Sequence, residues 1–193
     1  MIIELFGLPA SGKSTLARSL DARGLAKRMR ITSRTELLSR SSWWIVTHPL
    51  ASFMQLCYLI RYAGSCKLLY TKFVNLFLQH AAKYQKAHAS GGVVIVDQGF
   101  LQNLLSLFEE PQPSKTLKRY LSWLPKPDQV WVCEASTVER VRRLNARKQE
   151  DKTDMQRKTA AATNYEMILE LLEASMLPVR RVDASQDPEA FLS

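Results

Sequence analysis

Residues 1–20 read MIIELFGLPASGKSTLARSL, and this stretch decides the fold. Residues 1–6 are few and mostly apolar, the pattern of a buried strand. Gly7-Leu8-Pro9-Ala10-Ser11-Gly12-Lys13-Ser14 fits the phosphate-loop form G-x-x-x-x-G-K-[ST], and a helix opens at Thr15. Gly7 and Gly12 permit backbone angles that a Cβ forbids, so successive N–H groups can turn inward around an anion. The helix start behind the loop adds partial positive charge. Lys13 can reach the outer phosphates of a nucleotide, and the Ser14 hydroxyl can hold Mg²⁺. Gly7, Pro9, Ala10, Ser11, Gly12, Lys13, Ser14 and Thr15 are therefore expected to cradle a nucleoside triphosphate.

Working outward, the whole chain of 193 residues is long enough for one domain with a full core. Lysine and arginine outnumber aspartate and glutamate 27 to 18, giving a net charge of +9 and pointing to an anionic partner. The basic residues gather in two places. Lys13, Arg18, Arg23, Lys27, Arg28, Arg30 and Arg34 follow the loop, while Arg140, Arg142, Arg143, Arg147 and Lys148 lie far along the chain. Two clusters suit a phosphate-handling cleft better than a nucleic-acid stripe. Cys57, Cys66 and Cys133 lack metal-ligand spacing and read as reduced, mostly packed thiols, so the expected compartment is the cytoplasm. The chain enters the phosphate loop at once, so no signal peptide is expected. The apolar run 50–60 is too short to span a bilayer, and no membrane partner is expected.

Along the chain, residues 27–32 suggest a short second strand. Ser33-Arg34-Thr35-Glu36 has the form of a capping box. Trp43, Trp44, His48 and Pro49 mark a broken stretch. Residues 51–88 have helical spacing, parted near Ala63-Gly64-Ser65, with His80 as a packed core histidine and the apolar run 68–78 as a candidate homodimer interface. Val93-Val94-Ile95-Val96 is apolar on both faces, as a central parallel strand requires. Helices are expected over 98–108 and 115–124, a strand over 129–133, and a basic helix from a Ser136 cap to Arg147. A charged segment at 148–154 and a long amphipathic helix over 157–175 follow, then a strand at 178–182 and a helix start at Asp187-Pro188-Glu189. Alternating strands and helices predict an α/β fold: three layers, a mostly parallel five-stranded sheet flanked by helices, and a helical lid.

Asp97 ends the apolar strand, where open α/β sheets bind ligands. Beside the loop it can hold the metal or accept a proton from an attacking oxygen; it can also simply cap the next helix. Arg140, Arg143 and Arg147 share one helical face, suited to phosphate oxygens or to solvent.

The order of phosphate loop, VVIVDQG (93–99) and ERVRRLNAR (139–147) resembles the nucleoside and nucleotide kinases, thymidylate kinase most of all. The resemblance implies one P-loop kinase domain over 1–193 that takes ATP with Mg²⁺ and a small-molecule acceptor. It implies a helical acceptor-binding region over 34–90 and a lid over 140–157. Lys13, Asp97, Arg140, Arg143 and Arg147 would be catalytic, with Ser14 and Asp97 on the metal. Asp183 and Ala184 would lie against adenine, and Arg34 and Arg61 would contact acceptor phosphate. The chain departs from the family where Asp-Arg is usual, placing Gln98 after Asp97. Gln98 and Gln102 then become candidates to hydrogen-bond a base or sugar. The acceptor is read as a nucleotide or nucleoside, with a sugar, nucleotide-sugar or antibiotic hydroxyl as the alternative. A non-catalytic nucleotide switch is the reading from another class; no Asn-Lys-x-Asp guanine-reading segment occurs.

Overall fold

The computed structural model describes residues 1–146 and 154–183. Strand β1 (Ile2–Phe6) pairs in parallel with β3 (Val94–Val96) on one side and β4 (Gln129–Glu134) on the other. Edge strands β2 (Lys27–Arg28) and β5 (Val179–Asp183) complete the order β2-β3-β1-β4-β5, parallel throughout. All five residues of β1 are buried, because helices cover both faces of the sheet. Ile3 and Leu5 face Leu16, Leu20, Ile95 and Trp131 on one side. Ile2 and Phe6 face Val94, Phe100 and Tyr165 on the other. The expected α/β architecture and sheet are therefore present.

Residues 27–32 form less strand than expected. After Arg28 only the Met29 N–H still reaches the sheet, at Ile95 O (2.9 Å), before the chain leaves for α2 (Arg34–Thr47). Ser33 caps that helix by accepting from the Glu36 N–H at 3.1 Å. The tryptophans do not break it: Trp43 and Trp44 lie inside α2, and the break comes at His48 (φ −130°, ψ 56°). Pro49 then opens α3 (Pro49–Tyr62), where its missing N–H would have no helical partner. The parting at Ala63-Gly64-Ser65 falls as expected.

Beyond it, α4 (Cys66–Lys72) runs into a π-helical stretch, Phe73–Leu78, and then α5 (Gln79–His88). A π turn widens the helix locally and re-aims its side chains. Here Phe77 and Leu78 are buried, with Leu69, Phe73, Val74 and Leu76 packed against the same core. Much of the run 68–78 is thus packed into the fold. Exposed apolar side chains include Tyr70 within that run and, on α2 and α3, Trp43, Val46, Leu50, Phe53 and Ile60. Cys57 and Cys66 are exposed and only Cys133 is buried, which corrects the reading of mostly packed thiols.

Helices α6 (Phe100–Ser106) and α7 (Ser114–Leu121) follow β3. Helices α8 (Thr137–Ala146) and α9 (Asp154–Glu173) separate β4 from β5. Among the described residues no helix is long and apolar enough to cross a membrane. The charged segment at 148–153 and the helix start at 187–189 lie outside the described residues. Trp131 is fully buried at the centre of β4. Trp131→Ala is expected to lower the unfolding free energy by about 3–5 kcal/mol in urea titration, through lost burial and the cavity left behind.

Candidate active site

The sheet order brings the ends of β1, β3 and β4 side by side at one edge. Gly7 leaves β1 at φ 152°, and an added Cβ would stand 2.6 Å from the Cys133 carbonyl oxygen on β4. Ala10 (φ 64°) and Gly12 (φ 97°) curl the loop into α1 (Lys13–Ala22). Ala10 takes this left-handed backbone although it carries a Cβ. The Lys13 ammonium folds back over the loop, donating to Gly7 O (2.6 Å) and Leu8 O (2.9 Å). Ser14 is half-buried at the start of α1, while Pro9 and Thr15 are exposed.

Helix α8 lies over the outside of this loop. Ser136 caps it through the Glu139 N–H (3.2 Å). Arg140 Nε then donates to Pro9 O (3.2 Å) and Arg143 Nη1 to Ala10 O (3.3 Å). Glu139 aligns the Arg143 guanidinium from one turn before, at 2.7 Å. The basic face read from the sequence is thus docked on the phosphate loop; Arg147 lies outside the described residues.

A cleft of about 460 Å³ opens beside the loop, lined by Ser11, Glu134, Arg140, Tyr165, Glu166 and Asp183. Asp183 is the last residue of β5 and borders this cleft, whereas Ala184 lies outside the described residues.

Asp97 is 4 % exposed at the end of β3. Its Oδ2 accepts a close contact from Arg28 Nη2 and a bond from Arg28 Nε at 3.1 Å, and Lys83 Nζ stands 3.5 Å from Oδ1. Burial works against its charge, but Lys83 and Arg28 prevail and hold its pKa below the usual carboxylate range. Burial, opposed by Asp97, lowers the Lys83 pKa. Lys83 also donates to Gln98 O at 3.0 Å, pinning the corner that follows Asp97. Sequence reasoning counted Arg28 only as one of a basic cluster and missed Lys83 altogether.

Gln98 is exposed beside Asp97, and Gln102 stands about one turn into α6 with a buried Oε1 that has no hydrogen-bond partner among the described residues. Arg34 is exposed at the first turn of α2. Arg61 is not brought to the Asp97 corner. Its guanidinium lies over the Tyr62 ring (5.5 Å), and Tyr62 packs on Phe108, at the opposite end of α6 from Gln98.

The sequence also gave no sign of Gln55. It is 1 % exposed on α3, and both ends of its amide lack a partner among the described residues. Ser52, one turn before it, has an orphaned hydroxyl as well, and so has the Trp44 indole N–H. The Phe100 ring, next to the Asp97 corner, contacts Trp44 (5.9 Å), His80 (5.9 Å) and Tyr84 (5.2 Å). Burial, then Lys83, pushes the His80 pKa down to about 3, so this core histidine is neutral.

No family model matches this sequence, and no curated protein is significantly similar to it. Among solved structures, the chain is similar to deoxyadenosine kinase from M. mycoides with the products dCMP and a flexible dCDP bound. Identity is 15 %, the TM-score 0.59, and the match covers 100 % of this chain and 95 % of that one. The same enzyme with bound dATP matches at 13 % identity and a TM-score of 0.51, with the same coverage of both chains. The chain therefore shares the α/β fold of these deoxyadenosine kinase structures, where the sequence resemblance pointed to thymidylate kinase.

Glu4 is wholly buried on β1, and burial raises its pKa from 4.5 to about 7, against the opposing hydrogen bonds from Tyr84 and Leu101. A raised carboxyl pKa means that the folded state holds the proton more tightly. That contribution is complete below pH 4.5 and is lost as pH rises through about 7. Relative to Glu4→Gln, the wild-type protein is expected to lose stability between pH 5 and pH 8, by on the order of 3 kcal/mol at most. Denaturant titrations across that range check it; parallel curves for the two proteins would contradict it.

Proposed function

We propose that the protein is an ATP-dependent kinase that transfers the γ-phosphoryl group to a nucleoside-like acceptor. The observation that carries the acceptor class is Gln55. A buried amide with an unpaired donor and an unpaired acceptor is costly unless a ligand completes it. The planar edge of a nucleobase supplies a donor and an acceptor side by side, which a Gln amide matches bidentately. A sugar or antibiotic hydroxyl cluster matches it less well. The neutral Gln98, where the resembled kinases carry an arginine for acceptor phosphate, favours a hydroxyl acceptor over a monophosphate.

In this reading the acceptor hydroxyl oxygen bonds to the γ-phosphorus while the bond to the β,γ-bridging oxygen breaks, releasing ADP. The ionised Asp97 accepts the hydroxyl proton or orders the metal. Lys13 leaves the Gly7 and Leu8 carbonyls for the outer phosphates. Arg140 and Arg143, already held at the loop by Pro9 and Ala10 carbonyls, turn to the transferring oxygens. The half-buried Ser14 hydroxyl and the charged Asp97 suit a hard divalent cation, and Mg²⁺ bound there would offset charge on the β and γ oxygens. On the other side of the loop, the carboxylates of Glu134, Glu166 and Asp183 suit the amino group of a purine, not phosphate. Gln102 and Arg34 lie on the acceptor side; Arg61 takes no part.

ADP release from ATP-Mg²⁺ is to be measured with deoxynucleosides, ribonucleosides, nucleoside monophosphates, sugars and aminoglycosides. Turnover with a nucleoside, lost in Lys13→Ala, is the expected result. Turnover confined to sugars or aminoglycosides would overturn the acceptor class, and failure to bind ATP would overturn the kinase. Gln55→Leu is expected to raise the nucleoside KM by about tenfold or more while the ATP KM stays within about twofold.

A further inference from the structure

Glu4 has no part in the chemistry above, yet a carboxylate stands fully buried in the middle of the central strand. Its Oε1 accepts the Leu101 N–H at 2.7 Å, and its Oε2 accepts the Tyr84 hydroxyl in a short hydrogen bond. One carboxylate thus joins β1, α5 and the first turn of α6. Gly99 lies directly against it. A Cβ at Gly99 would stand 2.6 Å from Glu4 Cδ and 2.7 Å from Oε1. The Gly99 backbone (φ −123°, ψ −158°) is extended and open to any residue, so its conformation does not demand glycine. The carboxylate does.

Gly99 follows Gln98, whose carbonyl is held by Lys83, the residue before Tyr84 on α5. The corner Asp97-Gln98-Gly99 is therefore gripped twice, by Lys83 from α5 and by Glu4 from the strand behind it. Burying a carboxyl group among apolar side chains opposes folding, so its place here calls for a gain elsewhere.

We propose that Glu4 is a positioning residue for the acceptor site: clamped between Tyr84 and Leu101, it sets the place of the Asp97–Gly99 corner, and Gly99 is its steric counterpart. The role at the acceptor rests on the kinase reading; the structural pairing of Glu4 with Gly99 does not. Glu4→Gln keeps an oxygen for Leu101 and a polar group for Tyr84. Glu4→Ala removes both, and leaves two buried donors unpaired.

Two measurements on the full chain test this: amide hydrogen exchange over 97–104, and steady-state kinetics with ATP-Mg²⁺ and the best nucleoside of the panel. Glu4→Ala is expected to speed exchange at Gly99 and Leu101 by about tenfold or more. It should raise the nucleoside KM by a similar factor, with the ATP KM within about twofold, while Glu4→Gln restores both. Gly99→Ala is expected to do comparable damage alone, and none further in the Glu4→Ala background. Should Glu4→Ala not fold, Glu4→Leu fills the space without an acceptor and gives the same exchange readout.

Unchanged exchange at the corner would overturn the proposal. So would equal damage from Gly99→Ala in both backgrounds, or ATP and nucleoside KM values rising together. If no acceptor is turned over, the kinase reading fails, and exchange with the Gly99 pair of variants still decides the role of Glu4.

Discussion

The steric contact between Gly7 and β4 governs the whole loop-bearing edge of the sheet. The loop leaves β1 so close to the Cys133 carbonyl that a single carbon atom at Gly7 would force the two strands apart. That approach lets β1 stay paired with β4 up to Phe6 and Val132, right to the mouth of the loop. It therefore fixes where α8, which follows β4, can lie. Arg140 and Arg143 reach Pro9 and Ala10 only because β4 ends beside the loop.

Electrostatics then explains the posture of the loop. Guanidinium and ammonium groups removed from bulk water need acceptors, and here the loop's own carbonyls provide them. Lys13 spans Gly7 and Leu8 while the arginines hold Pro9 and Ala10. Each of these bonds can be exchanged for a stronger one to a phosphate oxygen. Asp97 is arranged differently. Lys83 and Arg28 hold it ionised in spite of burial.

Besides the Lys83 charge, the helical half supplies shape and buried hydrogen-bonding groups. Phe100, directly after the Asp97 corner, packs on Trp44, His80 and Tyr84, so that α2, α5 and α6 share one aromatic wall. The π stretch Phe73–Leu78 turns Phe77 and Leu78 into the core next to α3 and α6. Around it, Ser52, Gln55 and Gln102 keep polar atoms that nothing within the described chain satisfies.

The sequence alone determined everything that a few consecutive residues can set. The phosphate loop, the Ser33 and Ser136 caps, the apolar strand ending in Asp97 and the shared face of Arg140 and Arg143 are all local patterns. Each follows from backbone permissiveness or from helix and strand periodicity. Tertiary structure alone decided the partners. Arg28 meets Asp97 across 69 residues, and Glu4 meets Leu101 across 97. Those pairings need the sheet order β2-β3-β1, which no local pattern encodes. The same reason lies behind Arg61, which the resemblance put at acceptor phosphate and which instead lies over Tyr62, beside Phe108 past the far end of α6. It also hid Gln55, since only packing can remove the water from an amide and leave it unpaired.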